Sequence, residues 1–258
     1  MIVKKKLLII IIAIILTIIC SAVFLFFIPG KSLYVPVKSP TILLNHSPRV
    51  SDLTPYIQDG DIILRMTAGH WSKSFREYSP IDKRFSHCGI IRIRDDKITI
   101  INAMGSASNA NLGVEEVALD RFVKVASAVG IYRVRGADGS TISDTAIQYL
   151  DRPFDFTFDL EDDTTVYCTE LVYLALKPVK PEHFLSTIYS NDVKKDIIPI
   201  DSISNNPAID ELVYIVNQNE QAVDQENRAM LKRYNPVKIK FIQKMVIFFG
   251  KIRKAPQI

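Results

Sequence analysis

Two short segments constrain this chain more than any other feature. Phe85-Ser86-His87-Cys88-Gly89-Ile90-Ile91 sets a histidine inside an apolar run that reads as a strand. Val166-Tyr167-Cys168-Thr169-Glu170-Leu171-Val172 sets a cysteine just ahead of Leu171, Val172, Leu174, Ala175 and Leu176, which reads as the start of a helix. A thiol at a helix N-terminus beside an imidazole is the arrangement that makes a thiolate nucleophile near neutral pH. The histidine comes before the cysteine, the reverse of the papain order.

The rest of the middle of the chain reads as short strands with few helices. Gln58-Asp59-Gly60-Asp61 is a turn running into a strand, Ile62 to Arg65. Cys88 to Arg94 and Lys97 to Ala103 form a hairpin across Asp95-Asp96. Val114 to Val117, Ala128 to Val134 and a stretch near Ile197 to Ile200 are further strands. A helical turn is expected over Asp120 to Lys124, and a helix over Thr141 to Leu150 capped by Thr141 or Ser143. Tyr167 to Leu176 is a second helix, ended by Pro178. Residues 70–84 read as a polar helix or loop.

Both ends differ from this middle. Leu7 to Phe27 carries no charge and as a helix is roughly 30 Å long, enough to cross a bilayer core. Lys4, Lys5 and Lys6 precede it, so the N-terminus is expected in the cytoplasm and the remainder outside. A signal anchor fits best. A cleaved signal peptide ending near Cys20-Ser21-Ala22, a lipoprotein anchored at Cys20 and a buried core helix are the alternatives. The organisation read from this is a basic tail (1–6), a transmembrane anchor (7–27), a Pro- and Ser-rich stem (28–56), a catalytic domain (57–205) and a helical extension (206–258). Within the extension, residues 237–254 interleave bases with large apolar residues. They read as a helix packed on the domain or lying on a membrane surface.

The net charge of +4 sits largely in the two termini, so nothing points to a nucleic-acid surface. Of three cysteines, Cys20 falls in the apolar run, and a Cys88–Cys168 disulfide is the bland alternative for the other two. His46, His70, His87 and His183 are scattered without ligand spacing, so no metal site is expected. No Gly-rich phosphate loop is present, and no cofactor is expected.

The chemistry centres on Cys168. A helix start contributes partial positive charge, and the nucleophile's own N–H can donate to an oxyanion. His87 is the candidate base. Its neighbour Cys88 should point to the opposite face, toward the core, so Cys168 rather than Cys88 is taken as the nucleophile. Asn102, a polar residue among Ile100, Ile101 and Ala103, is the candidate to orient the imidazole. Each also has a bland reading: a structural histidine, a small core cysteine, a strand-end asparagine.

The ordered set Asp59-Gly60-Asp61-Ile62-Ile63, Ser86-His87-Cys88-Gly89-Ile90-Ile91, Ile101-Asn102-Ala103, Arg152-Pro153-Phe154-Asp155 and Tyr167-Cys168-Thr169-Glu170-Leu171-Val172 resembles the permuted papain-like amidases of the YaeF/YiiX type. These belong to the NlpC-like cysteine hydrolase superfamily, with lecithin retinol acyltransferase. The resemblance implies an α+β, circularly permuted papain-like fold, with the cysteine helix packed on an antiparallel sheet. It implies Cys168 as nucleophile, His87 as base and a polar third residue on the next strand. Tyr167, Asp61 and Ser86 join them as oxyanion or substrate-lining residues, Tyr167 being equally readable as a core aromatic. Many members carry a glutamate where this chain has Asn102, which leaves the imidazolium without a nearby negative charge.

The function expected is therefore a membrane-anchored, extracytoplasmic cysteine amidase, peptidase or acyltransferase. Cell-wall peptides, small amides or lipid acyl groups are the substrates that fit, and the membrane is the one partner named. Two alternatives stand beside it: a catalytically inactive peptide- or lipid-binding module on the same fold, and a membrane protein whose outer domain only recruits partners through residues 217–258.

Overall fold

The computed structural model describes residues 39–67, 72, 75–105, 112–180 and 184–219. The expected anchor (7–27), the first part of the stem (28–38) and the basic segment 237–254 lie outside the described residues. No helix among the described residues is long and apolar enough to cross a membrane.

The architecture is α+β and mostly sheet. In chain order the elements are β1 (Thr41–Leu44), α1 (Val50–Leu53), β2 (Ile62–Thr67), β3 (His87–Arg94), β4 (Lys97–Ala103), β5 (Val114–Ala118), α2 (Leu119–Val123), β6 (Ala126–Val134), α3 (Gly139–Ala146), α4 (Cys168–Leu176), β7 (Ile188–Ser190), β8 (Lys195–Ile197), α5 (Asp201–Ser204) and β9 (Ile209–Asn217). Seven strands form one sheet in the order β1-β9-β6-β2-β3-β4-β5, and β7 pairs with β8 alone. Every pairing in the large sheet is antiparallel except β1 with β9.

Both faces of the sheet are covered, which is why β2 reads Ile-Ile-Leu-Arg-Met with hardly a polar break. One face buries Ile62, Leu64, Cys88, Ile90 and Ile101 against α3 and α4. The other buries Ile63, Ile91, Ile100 and Val129 with Leu53 of α1 and Leu119 and Phe122 of α2. Asp95 and Asp96 turn the β3–β4 hairpin with φ of 51° and 61°, the left-handed pair that short hairpins require. Gly60, at φ 79°, has the backbone of Gly139 where a Cβ would stand, so the Asp59-Gly60-Asp61 turn and the start of α3 touch main chain to main chain.

Helix α4 is anchored by packing. It buries Leu171, Val172, Leu174 and Leu176, each contributing roughly 2 kcal/mol. Its N-terminal cap adds about 1 kcal/mol at most. Glu170 supplies that cap by accepting from the Tyr167 N–H at 3.2 Å.

Several expectations are corrected. The compact domain extends past 57–205 at both ends. Thr41–Leu44, assigned to the stem, is an edge strand, and Ile209–Asn217, assigned to a helical extension, is the long strand between β1 and β6. The Ile-Asp-Glu-Leu-Val-Tyr-Ile-Val run of β9 is a strand pattern hidden by the polar tail behind it. Helix α3 begins at Gly139 rather than Thr141, and its cap is Asp138, which accepts from Ser140 N–H and Thr141 Oγ1. The strand expected near 197–200 is β8, ending at Ile197.

Candidate active site

The site forms at one end of the central strands, where β2 finishes, β3 begins and β4 finishes. Cys168 is the first residue of α4, whose body packs on β3. His87 is the first residue of β3 and Asn102 the penultimate residue of β4. His87 Nε2 and Asn102 Oδ1 are 2.9 Å apart, so the ring nitrogen donates to the amide oxygen. The amide is fixed in that sense by Nδ2, which donates to the Glu115 carbonyl across the β4–β5 ladder. With Nε2 carrying the proton, Nδ1 is the nitrogen left for the thiol. His87 and Cys168 line the same cleft and the imidazole helps to lower the thiol, so the three expected residues meet.

Gly89 makes this meeting possible. A Cβ there would stand 2.9 Å from the Ile101 carbonyl and 3.1 Å from the Asn102 Cβ. Only a bare backbone lets β3 lie this close to Asn102.

Cys88 is buried in the core on the α4 face, as the alternation of β3 leads one to expect, and that face is also where Cys168 begins. Both thiols are free. The neighbouring Cys88 thiol is the leading cause holding the Cys168 thiol well below its ordinary range, against the opposing effect of burial, and the His87 imidazole and the Cys88 backbone N–H add to it. Burial, and then the neighbouring Cys168, push Cys88 well up. The pair therefore divides into a thiolate at Cys168 and a protonated thiol at Cys88.

A cleft opens beside the sulfur, lined by Arg65, Ser86, His87, Met104, Tyr167 and Cys168 among others. Its far wall is aromatic: Phe75, Tyr78 and Phe158 stand 6.3–6.4 Å apart, and Phe158 meets Tyr167 at 5.0 Å. Phe158 holds φ 53°, a strained value for an aromatic residue. Asp155 supports the loop by accepting from the Thr157 and Asp159 N–H groups. The Arg152-Pro153-Phe154-Asp155 piece thus builds the approach to the nucleophile and the wall in front of it.

Of the three accessory candidates, Ser86 lines the cleft, and its buried Oγ has no partner. Tyr167 also lines it, but its ring belongs to the core and its hydroxyl accepts from Ile198 N–H at 2.9 Å. Asp61 does not line the cleft. It precedes β2 at the opposite end of the strand, about 13 Å away, and is held by both Arg133 and the Gln58 N–H. Its motif position is structural. Sequence reasoning missed Arg65, Phe122 and the aromatic wall. Arg65 carried a signal, being the one charge in an otherwise apolar strand. His87 is flanked by Phe122, ring to ring at 5.7 Å, and the Arg65 guanidinium sits 4.1 Å over the same ring.

Comparison with known proteins finds a family model described as a permuted papain-like amidase enzyme, YaeF/YiiX, matching residues 56–207. The YiiX protein of Escherichia coli is 30% identical over 123 residues, which cover 45% of this chain and 55% of YiiX. The chain thus matches little more than half the length of that relative. A crystal structure titled metalloprotein yiiX, also from Escherichia coli, aligns with a TM-score of 0.49 at 17% identity, over 60% of this chain and 96% of that one.

Proposed function

The chain belongs to the permuted papain-like amidase family, YaeF/YiiX, and from that premise we propose that it is a cysteine hydrolase in which Cys168, His87 and Asn102 act together. The family makes it a hydrolase of the papain-like class. The finer reading is that Cys168 Sγ attacks an amide or ester carbonyl carbon. The oxygen of the tetrahedral adduct accepts from the Cys168 N–H at the start of α4. His87 Nδ1, protonated by the thiol, gives its proton to the leaving amine or alcohol as the bond breaks and a thioester remains. Water then loses a proton to the same nitrogen, attacks the thioester and releases the acid. An amine or alcohol in the water's place makes the reaction an acyl transfer. Asn102 keeps Nε2 protonated throughout, so the basic lone pair stays on the sulfur side.

The observation that carries this reading is the 2.9 Å His87–Asn102 bond beside a thiol held low at a helix N-terminus. A membrane anchor at residues 7–27 and an extracytoplasmic domain are the setting we propose for it, with wall peptides, small amides or lipid acyl groups as the substrate classes. Among the described residues no group of three or more His, Cys, Asp or Glu side chains is placed to hold a metal ion. Each step above uses the chain's own side chains.

The test is the rate of Cys168 alkylation by iodoacetamide against pH, with and without His87→Ala. Fast reaction with a midpoint well below an ordinary thiol, slowed in the variant, is the expected result. A slow reaction with an ordinary midpoint, unchanged by the variant, leaves only a binding module.

A further inference from the structure

Arg65 is only 7% exposed, yet it makes no ion pair among the described residues. Nη1 donates to the Phe122 carbonyl. Nη2 reaches only the Met104 sulfur at 3.5 Å, a weak acceptor. Nε is buried without a partner. Burial accordingly pulls this guanidinium down to about 10, and the Cys168 charge works against that. Arg65 stands directly opposite His87 in the β2–β3 ladder, on the same face, and both line the cleft with Met104.

An uncompensated buried cation is costly and is rarely kept without an anion to meet it. Within the protein the Cys168 charge acts on it most and Glu115 less, the carboxylate of Glu115 lying toward Arg121, and Nε is still left without a partner. The cleft lining also includes the aromatic Phe75, Tyr78 and Phe158 and holds no Asp or Glu. A planar fork of donors with unused capacity matches a carboxylate.

We propose that Arg65 is the anion-recognising residue of this cleft, so that the substrate attacked by Cys168 bears a carboxylate close to the bond that breaks and an apolar group that lies on the Phe75–Tyr78–Phe158 wall. This rests on Cys168 as the nucleophile. It narrows the substrate class to acidic amides or esters, such as peptide-like amides ending in a free carboxylate, and disfavours neutral lipid esters.

The test compares two alkylating probes of nearly equal size, iodoacetate and iodoacetamide, on the full-length chain, with modification of Cys168 followed by mass spectrometry. The ratio of their rate constants is divided by the same ratio for free cysteine. The expected value is about tenfold or more in favour of iodoacetate, falling severalfold in Arg65→Gln and only partly in Arg65→Lys, which keeps the charge without the fork. A ratio no greater than that of free cysteine overturns the proposal. So does a raised ratio that Arg65→Gln leaves intact, since the His87 imidazolium alone then accounts for it. So does a parallel loss of both rates in Arg65→Gln, which makes Arg65 a positioning residue for the thiolate. If Arg65→Gln does not fold, the parent ratio and Arg65→Lys decide. An unreactive Cys168 with an ordinary midpoint sinks the nucleophile itself, an outcome separate from any value of the ratio.

Discussion

The two ends of β2 hold buried charge in opposite ways. At the start of the strand, Asp61 is 2% exposed and fully answered: Arg133 meets it through Nε and Nη2, both at 2.7 Å, and the Gln58 N–H adds a third bond at 2.7 Å. At the other end, Arg65 is almost as deeply buried and answered by one carbonyl and a thioether sulfur. The first end pins the Asp59-Gly60-Asp61 turn to β6 and belongs to the fold. The second faces a cleft, and its unused donors belong to something that enters it. Satisfied burial is a sign of structure, and unsatisfied burial beside a nucleophile is a sign of a ligand.

Removing one charge at each end separates the two. Asp61→Ala is expected to lose on the order of 3 kcal/mol of stability in urea unfolding, because Arg133 loses its carboxylate and the Gln58 N–H its acceptor. Arg65→Met is expected to stay within about 1 kcal/mol of the parent in the same measurement, since an unpaired buried cation gives way to a side chain of similar reach over Phe122. Equal losses at the two positions would erase the contrast and make Arg65 a structural residue.

Glu170 is a third case, a buried acid next in the first turn to Cys168, with one backbone partner. Burial lifts it to about 8 despite the Tyr167 N–H, and Asp155, Asp163 and Asp159 add to the rise. At neutral pH it is mostly uncharged, which keeps a carboxylate charge away from the thiolate. For an acid raised on folding, its contribution is complete below the unfolded value near 4.5 and is lost as pH climbs through about 8. Glu170→Gln keeps the cap and removes the titration. The variant is expected to gain on the parent between pH 5 and 8, ending on the order of 3 kcal/mol more stable at the alkaline side. Parallel stability curves across that range would show that Glu170 is not buried as an acid.

The β3–β4 hairpin, the helix starting at Cys168 and the His87–Asn102 pairing could be read from the sequence because each rests on local pattern: alternation, a turn at Asp95-Asp96, a polar residue in an apolar strand. Strand β9 was missed because the polar tail behind it hides its short strand pattern, and its partners β1 and β6 are distant in the chain. Asp61 was drawn into the site by its place in a motif. Its geometry shows that residues recurring together in a motif include those that hold the turn as well as those that do the chemistry. Arg65 and the aromatic wall were overlooked because a cleft is assembled from strand ends and loops that only the fold brings together.

Cys88 gives the finest version of the contrast, because it is buried on the structural face and still touches the site. Alternation along β3 sends His87 and Cys88 to opposite faces. Cys168 sits where α4 wraps the end of the sheet, within reach of both. The neighbouring Cys88 thiol is the largest single cause of the lowered range of Cys168, ahead of His87. Cys88→Ala keeps the volume small and the backbone N–H in place but removes that thiol. The midpoint of Cys168 alkylation is expected to rise while remaining below that of a free thiol, since the imidazole and the helix start still act on it. His87→Ala should raise it as well, and the double variant further than either. If Cys88→Ala leaves the midpoint where it was, the sulfur pair is packing alone, and the thiolate owes its stability to His87 and the helix start.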